Sequence, residues 1–256
     1  MFLTPRQAEI VELAKVQGRI LVEDLSARFS VSPQTIRKDL NDLCDQQLLN
    51  RIHGGATFPS STENMQYEAR RKIAAQEKQA IGLAAAGLIP NNASLFINIG
   101  TTTEAVGEAL TDHQEMMVIT NNINVANRLR ILPSIEVIIA GGVVRGSDGG
   151  IVGEAAVDFI RQFKVDFAVI GASAIDADGA LLDFDFREVK VAQAIIANAR
   201  HVILVADSTK FERTAPVRIG QITQVKTFIT DSCPIPSLRR LCHENGVDLI
   251  ETNAVN

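Results

Sequence analysis

Several things are scarce in this 256-residue chain, and each scarcity closes off a class of function. There is no tryptophan, a single tyrosine and only 5% aromatic residues overall. Single-stranded RNA is read by stacking bases on such rings, so an RNA-binding module of that kind is disfavoured. The three cysteines, Cys44, Cys233 and Cys242, are odd in number and scattered, which argues against both a disulfide framework and a zinc module. His53, His113, His201 and His243 lack metal-ligand spacing, so neither a metal nor a cofactor is expected. No apolar run approaches the length of a membrane span, and the N-terminus lacks the basic start and long apolar stretch of a signal peptide. The expected location is the cytoplasm, with no membrane partner.

What remains is an ordinary globular composition, 46% hydrophobic and 21% charged, in a length that suits one small and one medium domain. The small domain is organised around the stretch Val31 to Asp42. Ser32 suits an N-cap and Pro33 the first helical position, while Val31 and Ile36 sit where a hydrophobic staple would join them. Ile36, Leu40 and Leu43 recur at helical spacing and predict one buried face. Gln34, Thr35, Arg37, Lys38 and Asn41 are left outside, near a helix N-terminus that favours phosphate. An amphipathic surface helix is the commoner meaning of such a pattern, but its neighbours favour a DNA recognition helix. Upstream, Thr4 and Gln7 form a capping box before Ile10, Leu13 and Ala14, and a second short helix is predicted from Val22 to Phe29. Only about two residues then separate that helix from Ser32, as a helix-turn-helix requires. Downstream, Leu49 to Ile52 and Ala56 to Phe58 flank His53, Gly54 and Gly55, predicting a two-stranded wing.

Residues 1–58 are thus read as a winged helix-turn-helix, with Ser32, Gln34, Thr35, Arg37, Lys38, Asn41, Arg51, His53 and Gly54 facing the duplex. Seven basic residues meet seven acidic ones in this segment, so affinity is expected to come from sidedness and from pairing of subunits. That implies a homo-oligomer, dimer or tetramer, on double-stranded operator DNA.

Residues 59–64 form a polar, helix-breaking linker. Beyond it one long helix is predicted, about Gln66 to Leu88, whose Arg70, Arg71 and Lys72 are read as a solvated face rather than as DNA or effector contacts. Short apolar strands then alternate with helices: Leu95 to Ile99, Met117 to Thr120, Glu136 to Ile139, Phe167 to Ile170, Val202 to Ala206, Thr227 to Ile229 and Asp248 to Ile250. This pattern is that of an α/β fold with a doubly wound, mostly parallel sheet, in which ligands sit beyond the carboxyl ends of the strands. Polar motifs fall at those ends. Asn98 precedes Gly100, Thr101, Thr102 and Thr103 at a helix start, an outline of a phosphate cradle that lacks P-loop spacing. Asn121 and Asn122 follow the second strand, Gly141 and Gly142 with Arg145 the third, and Lys210 a later one. Together they predict a site for a small phosphorylated polyol or sugar in a domain spanning residues 65–256.

These motifs resemble those of the DeoR family of bacterial transcriptional regulators over essentially the whole length. The residues that carry the resemblance are Val31 to Leu40, His53 to Ala56, Gly100 to Thr102, Thr120 to Asn122, Ala140 to Gly142 and Asp207 to Phe211. Asn98 to Thr102, Asn124 to Asn127 and Ser147 to Ala155 resemble the branch that governs glycerol phosphate catabolism. The resemblance implies a repressor released from DNA by that small phosphate and usually tetrameric; a repressor of another sugar or polyol pathway is the alternative. Leu21 departs from the family's capping Ser or Thr and leaves the start of the second helix open. The C-terminal half is also similar to ribose-5-phosphate isomerase, which implies an enzyme as the third possibility. The isomerase's acidic motif falls here on Gly171 to Ile175, which carries no acid, and Asp176, Asp178, Asp183 and Asp185 lie at other positions. The expectation is therefore a sugar-phosphate pocket kept for sensing, without catalysis.

Overall fold

The computed structural model describes residues 3–17, 19–46, 48–52, 54–57 and 67–253, which divide into two compact units, Met1–Met65 and Gln66–Asn256. The first unit contains α1 (Pro5–Gln17), β1 (Arg19–Leu21), α2 (Val22–Phe29), α3 (Pro33–Asp45), β2 (Asn50–Ile52) and β3 (Gly55–Thr57). The capping box forms: Thr4 Oγ1 accepts from the Gln7 N–H at 3.2 Å and Gln7 Oε1 accepts from the Thr4 N–H at 3.0 Å. Ile10, Ala14, Leu25, Ile36, Leu40 and Leu43 close a core around which the three helices pack, with Val31 against its edge. The wing has three strands rather than the expected two, because β1 pairs antiparallel with β3, whose other edge carries β2. This third strand also resolves the start of α2. Leu21 offers no side-chain cap, but it ends β1, and the Val22 N–H donates to the Gly54 carbonyl at 2.9 Å. Sheet pairing therefore does what a Ser or Thr cap does elsewhere. Gly55 is needed there, since a Cβ would lie 2.1 Å from the Ile20 carbonyl oxygen.

The second unit opens with α4 (Tyr67–Lys72) and α5 (Ala75–Ala86), two helices where the sequence predicts one. Ala74 takes a left-handed conformation, φ +50°, and the buried Lys78 Nζ donates to the carbonyls of Arg70 and Ile73. Those carbonyls would accept along a continuous helix; a side-chain ammonium takes them instead and ends α4. There follow β4 (Ser94–Ile97), α6 (Thr101–Ala109), β5 (Met116–Thr120), α7 (Ile123–Leu129) and β6 (Ile135–Ile139). A short hairpin, β7 (Val143–Val144) and β8 (Ile151–Val152), leads to α8 (Glu154–Ile160) and β9 (Val165–Ile170). Then come β10 (Ala174–Ile175), β11 (Ala180–Asp183), α9 (Phe186–Ala197), β12 (Ala199–Val205), β13 (Val217–Gln221), β14 (Thr227–Thr230), α10 (Pro236–Glu244) and β15 (Asp248–Glu251).

All seven strands expected from the apolar runs enter one sheet in the order β15-β14-β12-β9-β4-β5-β6, every pair parallel. Successive residues of a strand point to opposite faces, and both faces are covered. Leu95 and Ile97 join Ile81, Val106 and Leu110 in one core, while Phe96 joins Ile160, Ala192 and Leu238 in the other. The antiparallel sheet β10-β11-β13 was not expected. From β4 the chain runs outward through β5 to β6, then returns to β9 on the other side of β4. The crevice beyond β4 and β9 is therefore the topological switch point, where open α/β sheets take their ligands.

Candidate functional site

In the first unit, α3 carries the predicted DNA face. Ser32 caps it, its Oγ accepting from the Thr35 N–H at 3.2 Å and lying 2.9 Å from Thr35 Oγ1. Gln34, Arg37, Lys38 and Asn41 are exposed along the helix and Thr35 is half-buried. Asp39, the acid that would weaken this face, is turned inward: Arg6 Nε donates to its Oδ2 at 2.6 Å and Gln7 Nε2 to its Oδ1 at 3.4 Å. Arg51 is exposed on β2, and Gly54, φ +77°, makes the tip of the wing; His53 lies outside the described residues. The exposed charge in the first two turns of α3, Arg37 and Lys38, is thus positive although the segment as a whole is balanced.

In the second unit, a cavity of about 30 Å³ lies at the switch point. Its floor is Ile99 to Thr103, following β4 into α6, and Gly171 to Ser173, following β9. Gly100 has φ +145°, a backbone angle closed to most side chains, which lets the chain turn sharply into the helix. Thr103, fully buried, donates from Oγ1 to the carbonyls of Asn98 at 2.7 Å and Gly100 at 2.8 Å, fixing that turn. The first N–H groups of a helix such as α6 have no acceptor within the helix and favour an anion. Lys210 and Arg70 also line the cavity. Lys210 Nζ is 3.8 Å from Asp207 Oδ2, and Lys78 Nζ 3.9 Å from the same atom. Burial, with Arg213, Lys78 and Arg70 adding repulsion, draws the Lys210 ammonium down to about 8 despite Asp207. Burial also lowers Lys78 and Arg213. Cations disfavoured in this way gain most from an incoming anion.

The other expected residues are held nearby but do not line this cavity. Asn98 is buried, with its Oδ1 unpaired. Asn121 Nδ2 donates to the Ile151 carbonyl at 3.1 Å. Asn122 caps α7, accepting from the Asn124 N–H at 2.9 Å, and donates to Glu104. Gly141 and Gly142 are exposed in the turn between β6 and β7. Arg145 is fully engaged, with Asp148 at 2.7 Å, Glu188 at 2.6 Å and Asp185 at 3.2 Å.

Three charged lining residues, and Ser173 with them, lie outside the set the sequence predicts. The sequence predicts a solvated face for Arg70, but it is directed inward, bonded to Asp148 at 3.1 Å, while Arg71 and Lys72 are exposed. Asp183 and Glu188 come from the end of β11 and the first turn of α9, where no strand-end motif marks them. Burial raises both carboxyls above the ordinary range, the Phe184 N–H, Ser173 and Arg145 opposing it at Asp183; at Glu188 repulsion from Asp183 adds to burial, and Arg145 opposes.

Residues 6–62 match the DeoR-like helix-turn-helix domain, and residues 73–232 the DeoR C terminal sensor domain. The chain belongs to the DeoR family. It is a DNA-binding transcriptional repressor with a C-terminal sensor rather than an enzyme, in keeping with its curated relatives. It is 48% identical to the glycerol-3-phosphate regulon repressor of Escherichia coli (strain K12), over 96% of this chain and 98% of that protein. The repressor of the same name from Haemophilus influenzae is 49% identical, over 90% of this chain and 89% of its own. Among solved structures, ribose 5-phosphate isomerase from Plasmodium falciparum is similar at TM-score 0.40 and 14% identity, over 53% of this chain and 52% of that one. Among the described residues no helix is long and apolar enough to cross a membrane.

Proposed function

We propose that this DeoR-family protein represses genes of glycerol or glycerol-3-phosphate catabolism and leaves its operator when a small phosphorylated effector, glycerol-3-phosphate first among candidates, enters the C-terminal cavity. The observation that carries the reading is the switch-point cavity. It brings Gly100 to Thr103, Lys210 and Arg70 to one place, and burial disfavours the Lys210 ammonium until an anion arrives. In that reading the phosphate takes the α6 N-terminus, with charge-assisted bonds from Lys210 and Arg70. A cavity of about 30 Å³ holds little more than a water molecule, so the effector must move its walls. Binding energy is then available to favour a different conformation, which is what release from DNA requires. Gln34, Thr35 and Arg37 read bases, Lys38, Arg51, His53 and Gly54 meet the backbone, and Ser32 and Asn41 flank them. A homo-oligomer, dimer or tetramer, supplies the paired half-sites on cytoplasmic DNA that one near-neutral domain lacks.

Titrating glycerol-3-phosphate into the complex of the full chain with its operator, read by mobility shift, tests this. Operator affinity is expected to fall at least tenfold at saturation. An unchanged affinity removes glycerol-3-phosphate as effector, and fructose and tagatose phosphates then test the alternative of another sugar-phosphate pathway.

A further inference from the structure

The anion seat occupies one side of the cavity and leaves the chemistry of another unexplained. Ser173, Asp183 and Glu188 line the same space. Asp183 and Glu188 are 6% and 8% exposed, a depth at which carboxyls are found only with partners. Ser173 Oγ donates to Asp183 Oδ2 at 3.0 Å, and the Phe184 N–H to its Oδ1 at 2.6 Å. Arg145 donates to Glu188 Oε2 at 2.6 Å and is shared with Asp148 and Asp185, which Arg70 and Arg187 also meet. Two buried acids facing a cavity are poor company for phosphate, so they orient an ester with its phosphate toward α6 and its carbon chain toward themselves. A second observation points to a ligand here: Nε of the cavity-lining Arg70 is buried without a hydrogen-bond partner.

We propose that Asp183 and Glu188, with Ser173 beside them, read the free hydroxyl groups of the effector, so that the cavity selects a phosphorylated polyol with a free vicinal diol over a phosphate ester that lacks one. The assignment rests on the phosphate-effector reading of this cavity. A carboxyl accepts from a hydroxyl when ionised and can also donate when protonated, so either state pairs with a diol. An ester without hydroxyls displaces water from both acids and returns no hydrogen bond to their remaining acceptor sites, and a site built for hydroxyl groups rejects such an analogue strongly.

Calorimetric titration of the full chain with glycerol-3-phosphate, n-propyl phosphate and inorganic phosphate tests the assignment. Glycerol-3-phosphate is expected to bind at least tenfold more tightly than n-propyl phosphate. In Asp183→Ala and Glu188→Ala that ratio should fall below threefold, n-propyl phosphate binding more tightly as the acids that penalise it are removed and glycerol-3-phosphate losing its hydroxyl partners. Glu188→Gln, which keeps shape and packing, should lower the ratio at least threefold and decides the matter if thermal unfolding shows the truncations to be misfolded. A ratio unchanged in the folded variants, or a parent chain that binds the two esters equally, overturns the hydroxyl assignment and leaves the phosphate seat standing. A parent chain that binds none of the three removes the seat and the assignment together.

Discussion

The outer face of α3 and the wall of the switch-point cavity both carry cations, yet they hold them in opposite ways. Arg37 and Lys38 stand in water on a surface helix, and the one buried acid beneath them, Asp39, is occupied by Arg6. Lys210 and Lys78 are buried, share one carboxylate and lose pKa to desolvation. Exposed charges bind weakly, additively and with steep salt dependence; buried ones bind a few atoms selectively and are little screened. The difference suits a long polyanion at one end of the chain and a small metabolite at the other.

The comparison can be broken most severely through the core under α3. Leu40, fully buried between the helices, should cost about 2–5 kcal/mol when replaced by alanine. Leu40→Ala is expected to lower the unfolding temperature of the first unit and abolish operator binding while calorimetry still detects effector. Loss of both activities would mean that the two units do not fold independently. Next in size, Lys210→Ala should take about 2–5 kcal/mol from effector binding and leave operator affinity unchanged, so that mobility shifts show repression without induction. Because the Lys210 pKa is drawn down to about 8, its charge is present below that pH and lost above it. Effector affinity should therefore fall as pH rises through about 8 to 9, and Lys210→Arg should flatten that decline.

Smaller effects sharpen the α3 side. Arg37→Ala should remove roughly 1–3 kcal/mol of discrimination between operator and a single-base variant, measured by competition binding. Lys38→Ala should weaken all sequences alike and reduce the salt slope by about one. Ser32→Ala, which deletes the bond to the Thr35 N–H, should cost about 1 kcal/mol in thermal unfolding of the first unit.

The same contrast explains what was legible in the sequence. The pattern of α3 is local: cap, Pro33 and the spacing of Ile36, Leu40 and Leu43 lie within a dozen residues, and each appears in the structure. The seven parallel strands were visible because strands buried on both faces are continuous apolar runs. Elements held by distant partners were not. β1 pairs with β3 across α2 and α3, β13 with β11 across α9 and β12, and β10 is only two residues long, too short for a strand pattern. The break between α4 and α5 depends on one ammonium reaching back to two carbonyls, which nothing in an alanine-rich stretch announces. Among the cavity residues, Gly100 to Thr103 and Lys210 follow strands and could be anticipated from them. Arg70, Asp183 and Glu188 arrive from a helix preceding the sheet, a side hairpin and a helix start, and only the tertiary fold gathers them.

If effector and operator compete through conformation, their coupling must be reciprocal. Calorimetric affinity of glycerol-3-phosphate for the free chain and for the operator-saturated chain measures that coupling directly. Weaker binding to the complex, by the same factor by which the effector weakens operator binding, is the predicted result; equal affinities for the two forms would contradict it.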